Sequence, residues 1–346
     1  MPPRWPARRA RTPAGRACVE EGGGVARGEF EWIRQIGRAR GGDGVTLGIG
    51  DDAALLRPAR GMLLAACVDS LVEGTHFLPG TAWRDLGWKA LAVNLSDLAA
   101  MGARPRWATL ALTLPHADPR AFLGVVAGLR RLAAIHDVAL VGGDTTRGPL
   151  TLTVQALGEV PPKAALRRAG ARVGDAIYVS GTPGDAAAGL AIAQGGLRAA
   201  APADARRLRQ RLDRPQPRVA LGLALRGVAS ACIDVSDGLA QDLGHVLRAG
   251  GVGADLDAGA LPASAALRRV VPDARERLAL QLAGGDDYEL CFTVPPARVA
   301  RVAAIARRLR LPLSCIGRVR AGRGLRVRDA TGRRVALSRA GYDHFA

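Results

Sequence analysis

The chain has 346 residues, a formal net charge of +18 and an aromatic content of 4%, and a chain of this length buries roughly three-quarters of its unfolded surface, enough for two ordinary cores. Its positive charge comes almost wholly from arginine, with Lys89 and Lys163 the only lysines; the arginines lie scattered on helix faces such as 298–310 instead of clustering with stacking aromatics, which argues against a nucleic-acid partner. No stretch reaches about 18 uninterrupted apolar residues, so no membrane-spanning helix is expected.

Residues 1–26 carry Arg4, Arg8, Arg9, Arg11 and Arg16 among Pro, Ala and Gly, with no apolar centre of a secretory signal, and are expected to be a disordered extension. From Gly28 the pattern becomes globular: Phe30, Ile33 and Ile36 suit a short helix over 29–37, and 62–68 a buried strand. Leu86, Ala90 and Val93 mark one face of a helix, and 108–114 and 150–157 alternate at the strand period of two. Between those strands, 119–134 reads as a helix and 138–141 as a strand delivering Asp144 at its end.

Pro161-Pro162 interrupts regular structure and separates an expected first domain, 27–160, from a second, 161–346. In the second, 176–180 is a strand, 184–194 and 217–229 are helices, and 231–235 is a strand emptying into Ser236-Asp237-Gly238. Ser236 or Asp237 is expected to cap a helix over 238–248 that Gly250-Gly251 ends. Residues 287–294 alternate as a strand, 297–310 form an amphipathic helix and 313–319 a strand. Mixed elements in both halves predict two α/β or α+β domains. The odd cysteines (Cys18, Cys67, Cys232, Cys291, Cys315) form no CxxC pair and read as reduced core thiols of a cytoplasmic protein.

A chain this basic nevertheless repeats aspartates beside glycine or serine, as in "GIGDDAALL" (48–56), "NLSD" (94–97), "GGDT" (142–145), "IDVSDG" (233–238) and "GGDD" (284–287). Gly48-x-Gly50-x-x-Ala53 fits a dinucleotide fingerprint, but Asp51 and Asp52 would repel a pyrophosphate and Pro58 follows too soon for the helix the motif opens. Neither lysine precedes Ser or Thr, so no phosphate-binding P-loop exists, and no kinase-type catalytic loop is present. Short carboxylates at strand ends suit magnesium, a hard ion that bridges carboxylates to substrate phosphates. Asp52, Asp69, Asp97, Asp144, Asp234 and Asp237 are placed for this, although any one of them alone also suits a turn or a helix cap. If a nucleoside triphosphate of about −4 and a phosphate acceptor of about −2 joined them, on the order of four or five Mg²⁺ ions would be needed for balance.

"GEF" (28–30), "LGIGDDAALL" (47–56), "VDSLVEGTHF" (68–77), "KALAVNLSDLAAMGA" (89–103), "LVGGDTTRGPL" (140–150), "IDVSDGLAQDLGH" (233–245), "GGDDYELCF" (284–292) and "GYDHF" (341–345) together resemble the thiamine-monophosphate kinases. The resemblance runs from about residue 28 to the C-terminus. It implies a two-domain AIR-synthase-like fold, with an N-terminal α/β domain pairing strands across a homodimer and a C-terminal α+β domain. It implies transfer of the γ-phosphoryl group of ATP to thiamine monophosphate, giving thiamine diphosphate. Matched motif by motif, Asp52, Asp69, Asp97, Asp144, Asp234 and Asp237 correspond to Mg²⁺ ligands. Gly143, Asp144, Arg168 and Ser236 correspond to ATP contacts, and His76, Asp286 and Tyr342 to positions facing the thiamine phosphate. Cys67 and Val68 stand where that family commonly has hydroxyl residues, and Asp286 where it often has Glu. Selenophosphate synthetase and the hydrogenase-maturation dehydratase are disfavoured, because Cys18 lies outside the matched region and the chain ends "GYDHFA" without a cysteine.

Overall fold

A computed structural model describes residues 42–329, 331–336 and 341–342. The expected helix over 29–37, the extension 1–26 and Cys18 lie outside the described residues.

After a small hairpin of β1 (Val45–Leu47) and β2 (Leu55–Leu56), the first sheet is built from β3 (Leu63–Val72), β4 (Arg104–Leu114), β5 (Ala139–Arg147) and β6 (Thr151–Val160) in the order β3-β6-β4-β5. The connections from β3 to β4 and from β4 to its parallel neighbour β5 carry helices α1 (Trp83–Ala100) and α2 (Pro119–His136). The second sheet has the order β13-β12-β9-β11-β7-β10-β8, with β7 (Ala176–Ser180), β8 (Ala231–Val235), β9 (Gly253–Asp257), β10 (Glu289–Val294), β11 (Leu313–Arg320), β12 (Gly324–Arg328) and β13 (Arg334–Val335). Helices α3 (Asp185–Ala193), α4 (Pro202–Asp213), α5 (Val219–Leu225), α6 (Leu239–Gly250), α7 (Ala265–Val270), α8 (Ala274–Ala283) and α9 (Val299–Leu309) surround it.

Helix α1 forms where the "LGWKALAVNLSDLAA" run supplies good helix formers without proline or glycine in its second half. A single buried face is expected of it, yet nearly every residue from Leu86 to Ala100 is buried. It packs on β3, β6 and α2 of the first half and on α5, β8 and β10 of the second, so neither side faces water. One hydrophobic core consequently runs through both halves, from Leu152 and Leu95 to Leu225 and Phe292. Strand β10 differs likewise from a half-exposed alternating strand, being buried along its whole length between β7 and β8.

The expected helix over 217–229 is only Val219–Leu225, ending before Gly227, whose φ of 67° no helix continues. Helices α4, α7 and α8 and strand β9 were not legible in the sequence. The α4 segment, "PADARRLRQRLD", buries only Asp204, Leu208, Arg211 and Leu212, and two leucines among arginines make a poor periodic signal. Of the described cysteines, all free, Cys232 and Cys291 are buried as expected of core thiols, Cys67 is half-buried and Cys315 is exposed, a correction for β11.

The second half carries a buried ion cluster. The fully buried Glu289 accepts from Arg211 at 2.6 Å, from Arg218 Nε at 2.6 Å and from Ser180 Oγ at 2.5 Å. Burial works to raise its carboxyl, and the Arg218 and Arg211 charges outweigh burial and hold it below the usual range. Removing the carboxylate would leave two guanidinium groups desolvated and unpaired. Glu289→Ala is therefore expected to lower the unfolding free energy by about 3–5 kcal/mol, read from urea denaturation; a loss within experimental error of zero would show that the cluster is dispensable.

Candidate active site

A cavity of about 530 Å³ opens between the two halves, and Asp69, Asp97, Asp234 and Asp237 all line it. Each arrives on a different element. Asp69 points inward from β3, Asp97 comes from the last turn of α1, Asp234 from β8, and Asp237 from the turn that follows β8. Ser96 Oγ donates to Asp234 Oδ2 at 2.8 Å, so consecutive residues of α1 serve the site in two ways: Asp97 joins the cluster and Ser96 holds its most buried member.

Crowding these carboxyls out of water changes their chemistry. Burial, with the Asp234 and Asp69 charges adding and Arg168 opposing, pushes Asp97 up to about 8. Burial, relieved by the Ser96 hydrogen bond and increased by Asp69, pushes Asp234 up to about 6. Burial and the charge of Asp237 raise Asp69 as well. Such a group demands positive charge. Among the described residues, no three His, Cys, Asp or Glu side chains converge closely enough to cage a metal alone. The donors are all hard oxygens spread around a cavity, which fits magnesium, an ion that leaves several coordination positions to water and substrate phosphate.

The turn bearing Ser236 and Asp237 is held by a residue the sequence reading did not assign. Neither Ser236 nor Asp237 caps α6, as was expected; instead Asp242, one turn into the helix, accepts from the backbone N–H groups of Ser236, Asp237 and Gly238 at 3.0, 3.1 and 3.2 Å. Burial, Asp234 and Asp237 push its carboxyl up to about 7, against those N–H donors. The signal was present in "SDGLAQD", but a capping search that looks backward from the helix passes over a carboxylate reaching back from inside it.

The Gly284–Asp287 turn closes against the same loop. The Asp286 N–H donates to the Ser236 carbonyl at 2.8 Å, and a Cβ at Gly285 would lie 2.6 Å from that oxygen, so the approach requires glycine. Asp286 and Tyr288 both have positive φ, 67° and 50°, strain of the kind that functional sites retain. The paired aspartates divide their work: Asp286 lines the cavity, while the fully buried Asp287 accepts from the Gly184 N–H at 2.7 Å at the start of α3.

Lys89 is the second residue that sequence reasoning missed. Buried in α1, its Nζ reaches Asp286 Oδ1 at 3.1 Å and the His76 carbonyl at 3.1 Å, tying two cavity-lining segments together. Its signal was its rarity: a compact ammonium among so many guanidinium groups marks a place where the planar fork does not fit. His76 Nδ1 accepts from the Val72 N–H at 3.0 Å, so the neutral ring carries its proton on Nε2. Tyr342 lines the cavity, its N–H donating to the Asp237 carbonyl at 3.0 Å and its carbonyl accepting from Gln241 at 2.8 Å. Arg168 is exposed and does not line the cavity, yet its charge acts on Asp97 and Asp234.

Asp52, Asp144 and Gly143 are placed elsewhere, in a second hollow of about 470 Å³ between residues 49–54 and β5. Asp144 does not end its strand, since β5 continues to Arg147. In the sheet, Asp69 is level with Val154, Leu110 and Gly143, whereas Asp144 is level with Ala111 and so projects from the opposite face. Three strand spacings, about 14 Å, separate β3 from β5. A Cβ at Gly143 would lie 2.0 Å from the Leu110 carbonyl, so this glycine also has a packing reason to be there.

Two family models match the chain: the AIR synthase related protein N-terminal domain over residues 50–160 and the corresponding C-terminal domain over 172–330. The thiamine-monophosphate kinase of Salmonella typhimurium is 50% identical over 326 residues, which cover 93% of this chain and 99% of that protein. The chain belongs to the thiamine-monophosphate kinase family. Among solved structures, the family member from Stenotrophomonas maltophilia is 50% identical, with a TM-score of 0.80 over 85% of this chain and 94% of its own. AaThiL complexed with AMPPCP and TMP is 31% identical, with a TM-score of 0.73 over 92% of this chain and 97% of its own.

Because Asp69, Asp97 and Asp234 hold protons in the folded chain that the unfolded chain releases near pH 3.8, stability falls as pH rises from there toward about 8. In chelator, the melting temperature is expected to fall between about pH 5.5 and about pH 8.5, and Mg²⁺ to raise it more at the upper end. A melting temperature independent of pH, or an equal magnesium effect at both ends, would contradict this account of the cluster.

Proposed function

We propose that the cavity between the two halves is where this enzyme transfers the γ-phosphoryl group of ATP to thiamine monophosphate, giving ADP and thiamine diphosphate. The observation that carries this reading is the convergence of Asp69, Asp97, Asp234 and Asp237, from both halves of the fold, on one cavity of a chain with net charge +18. Unneutralised, those carboxylates would repel any phosphate; their placement makes sense for phosphate held through cations.

Asp69, Asp97, Asp234 and Asp237 would hold Mg²⁺, and Asp52 and Asp144 would complete the set. That requires the 49–54 hollow to be brought to the cavity, by movement of its loop or by a partner subunit. Mg²⁺ held by these carboxylates would supply the charge that lets ATP and the acceptor phosphate share the cavity and would polarise the phosphoryl group. The chain's own residues position. Ser236 and the backbone around Gly143 and Asp144 would contact the ATP phosphates, with Arg168 as a guanidinium clamp. His76, Asp286 and Tyr342 would face thiamine monophosphate, the shorter Asp286 standing where a Glu is common in the family. An acceptor phosphate is already ionised at neutral pH, so no general base is assigned. Asp242 and Lys89 keep the two loops in register, which is how a protein lowers the barrier of a reaction that asks mainly for orientation.

The division at residue 160/161 is proposed to separate a metal-binding, dimerising half from the remainder of the site. A homodimer is supported by Leu63, Leu64 and Val68, exposed on β3 at the open edge of the first sheet. A cytoplasmic location is supported by the free state of all four described cysteines. No helix among the described residues is long and apolar enough to cross a membrane.

Purified protein with ATP, Mg²⁺ and thiamine monophosphate is expected to form thiamine diphosphate, followed by chromatography, and to form none when Mg²⁺ is omitted or when thiamine replaces the monophosphate. Asp144→Asn and Asp237→Asn should each lose most of the turnover while remaining folded; normal kinetics in both would refute the metal assignment. Lys89→Met is expected to lower kcat/KM for thiamine monophosphate roughly ten- to hundred-fold, the worth of charged hydrogen bonds. Unchanged kcat/KM in that variant would mean that the His76 and Asp286 segments hold themselves.

A further inference from the structure

Arginines that are dispersed in the sequence converge beside α8. Arg268 from α7, Arg275 and Arg277 from the first turns of α8, and Arg333 and Arg334 at β13 surround a cavity of about 840 Å³, larger than the active-site cavity. Its floor is largely apolar, formed by the buried Leu261 and Leu282 and the half-buried Leu278, with the buried Gln281 amide turned to the Pro262 carbonyl at 2.7 Å. Arg277 is held in place, Nη1 donating to the Val271 and Pro272 carbonyls at 2.8 and 3.0 Å. The side chains of Arg268, Arg275, Arg333 and Arg334 form no ion pair among the described residues.

Among the described residues, five arginines and one acid line the cavity. That acid is Asp329, and its Oδ1 is turned to its own loop, accepting from Thr331 Oγ1 at 2.6 Å, Thr331 N–H at 2.9 Å and Arg333 N–H at 3.0 Å. Asp273 caps α8, accepting from the N–H groups of Arg275 and Glu276, so the helix terminus is already satisfied and the free positive charge is that of the side chains. Five guanidinium groups gathered around a single carboxylate repel one another, and their planar forks match phosphate oxygens in pairs. An apolar floor beneath such a rim calls for a ligand with a flat or apolar body and more than one phosphate.

We propose that this cavity binds an organic di- or triphosphate at a site separate from the catalytic one. The site does not depend on the kinase reading. It adjoins the catalytic cavity through α8, whose last residue, Ala283, lines both.

The test is isothermal titration of the full chain with inorganic pyrophosphate and, separately, with ADP, in chelator at low salt. Without Mg²⁺ the catalytic cavity offers an anion mainly carboxylates, so binding reports on the arginines. One pyrophosphate is expected to bind per chain and to be weakened about tenfold or more by the double variant Arg268→Gln/Arg334→Gln, with added salt weakening it further. ADP is expected to bind more tightly than pyrophosphate, because the floor accepts its base. Both arginines are exposed, so the variant's melting temperature and kinase activity should be unchanged. Absence of binding, equal binding by the double variant, or equal affinity for the two probes would overturn the proposal.

Discussion

Crowding of four buried or half-buried carboxyls into one cavity is the constraint on which the rest of this structure depends. Asp69, Asp97, Asp234 and Asp237 meet in one cavity, with Asp97 pushed up to about 8 by burial and the Asp234 and Asp69 charges, and Asp234 to about 6 by burial and the Asp69 charge. A fold left to relax would spread such groups into water. Here each is mounted on an element fixed by packing elsewhere: β3 by its ladder to β6, β8 by its ladder to β10, and α1 by burial on both sides. The groups that touch them are supports of polar kind, the Ser96 hydroxyl on Asp234 and the Asp242 carboxylate beneath the Ser236–Gly238 turn. Repulsion is thus stored in the folded chain and is available to be relieved by cations, which couples stability to metal and phosphate binding.

The same demand explains why α1 is buried rather than amphipathic. A helix serving two sheets at once must be apolar on both sides, and its few polar residues must each find a partner inside. Lys89 finds Asp286 and the His76 carbonyl, Ser96 finds Asp234, and the Asn94 Nδ2 donates back to the Ala90 carbonyl, while its buried Oδ1 has no partner among the described residues. On the other side of the cavity, Glu289 with Arg211 and Arg218 pins α4 and the start of α5 to β10, next to the turn that carries Asp286. Polar groups in this interior thus specify geometry, since an apolar replacement could fill the space but would not hold the two loops in register.

Legibility in the sequence followed the strength of the local signal. Strands β3, β4, β6, β7, β8 and β11 and helices α2, α3, α6 and α9 could be read because period and punctuation agreed, although β3, expected to be buried over 62–68, is largely exposed there because it is the edge strand of its sheet. The arginine-rich α4 and the short β9, whose "GADLD" alternates in the strand period but is flanked by glycines, could not. Asp beside Gly or Ser picked out Asp69, Asp97, Asp234 and Asp237, which line one cavity, and equally Asp52 and Asp144, which lie in a second hollow. The supports were not, because Asp242 and Lys89 act through contacts with loops far away in sequence or reaching backward along the chain.

The sequence by itself determined chemistry: hard oxygen donors in place of a P-loop, and the family to which the chain belongs. Those properties are carried by residue type and short spacing, which survive in one dimension. Only the tertiary structure decided which aspartates meet. Pleat alternation puts Asp144 on the opposite face of the sheet from Asp69, and strand order sets them about 14 Å apart; strand order and side-chain facing are properties of pairing between distant segments. The arginine-rimmed cavity beside α8 has the same origin, since residues 268, 275 and 334 become neighbours only when β13 joins the edge of the second sheet.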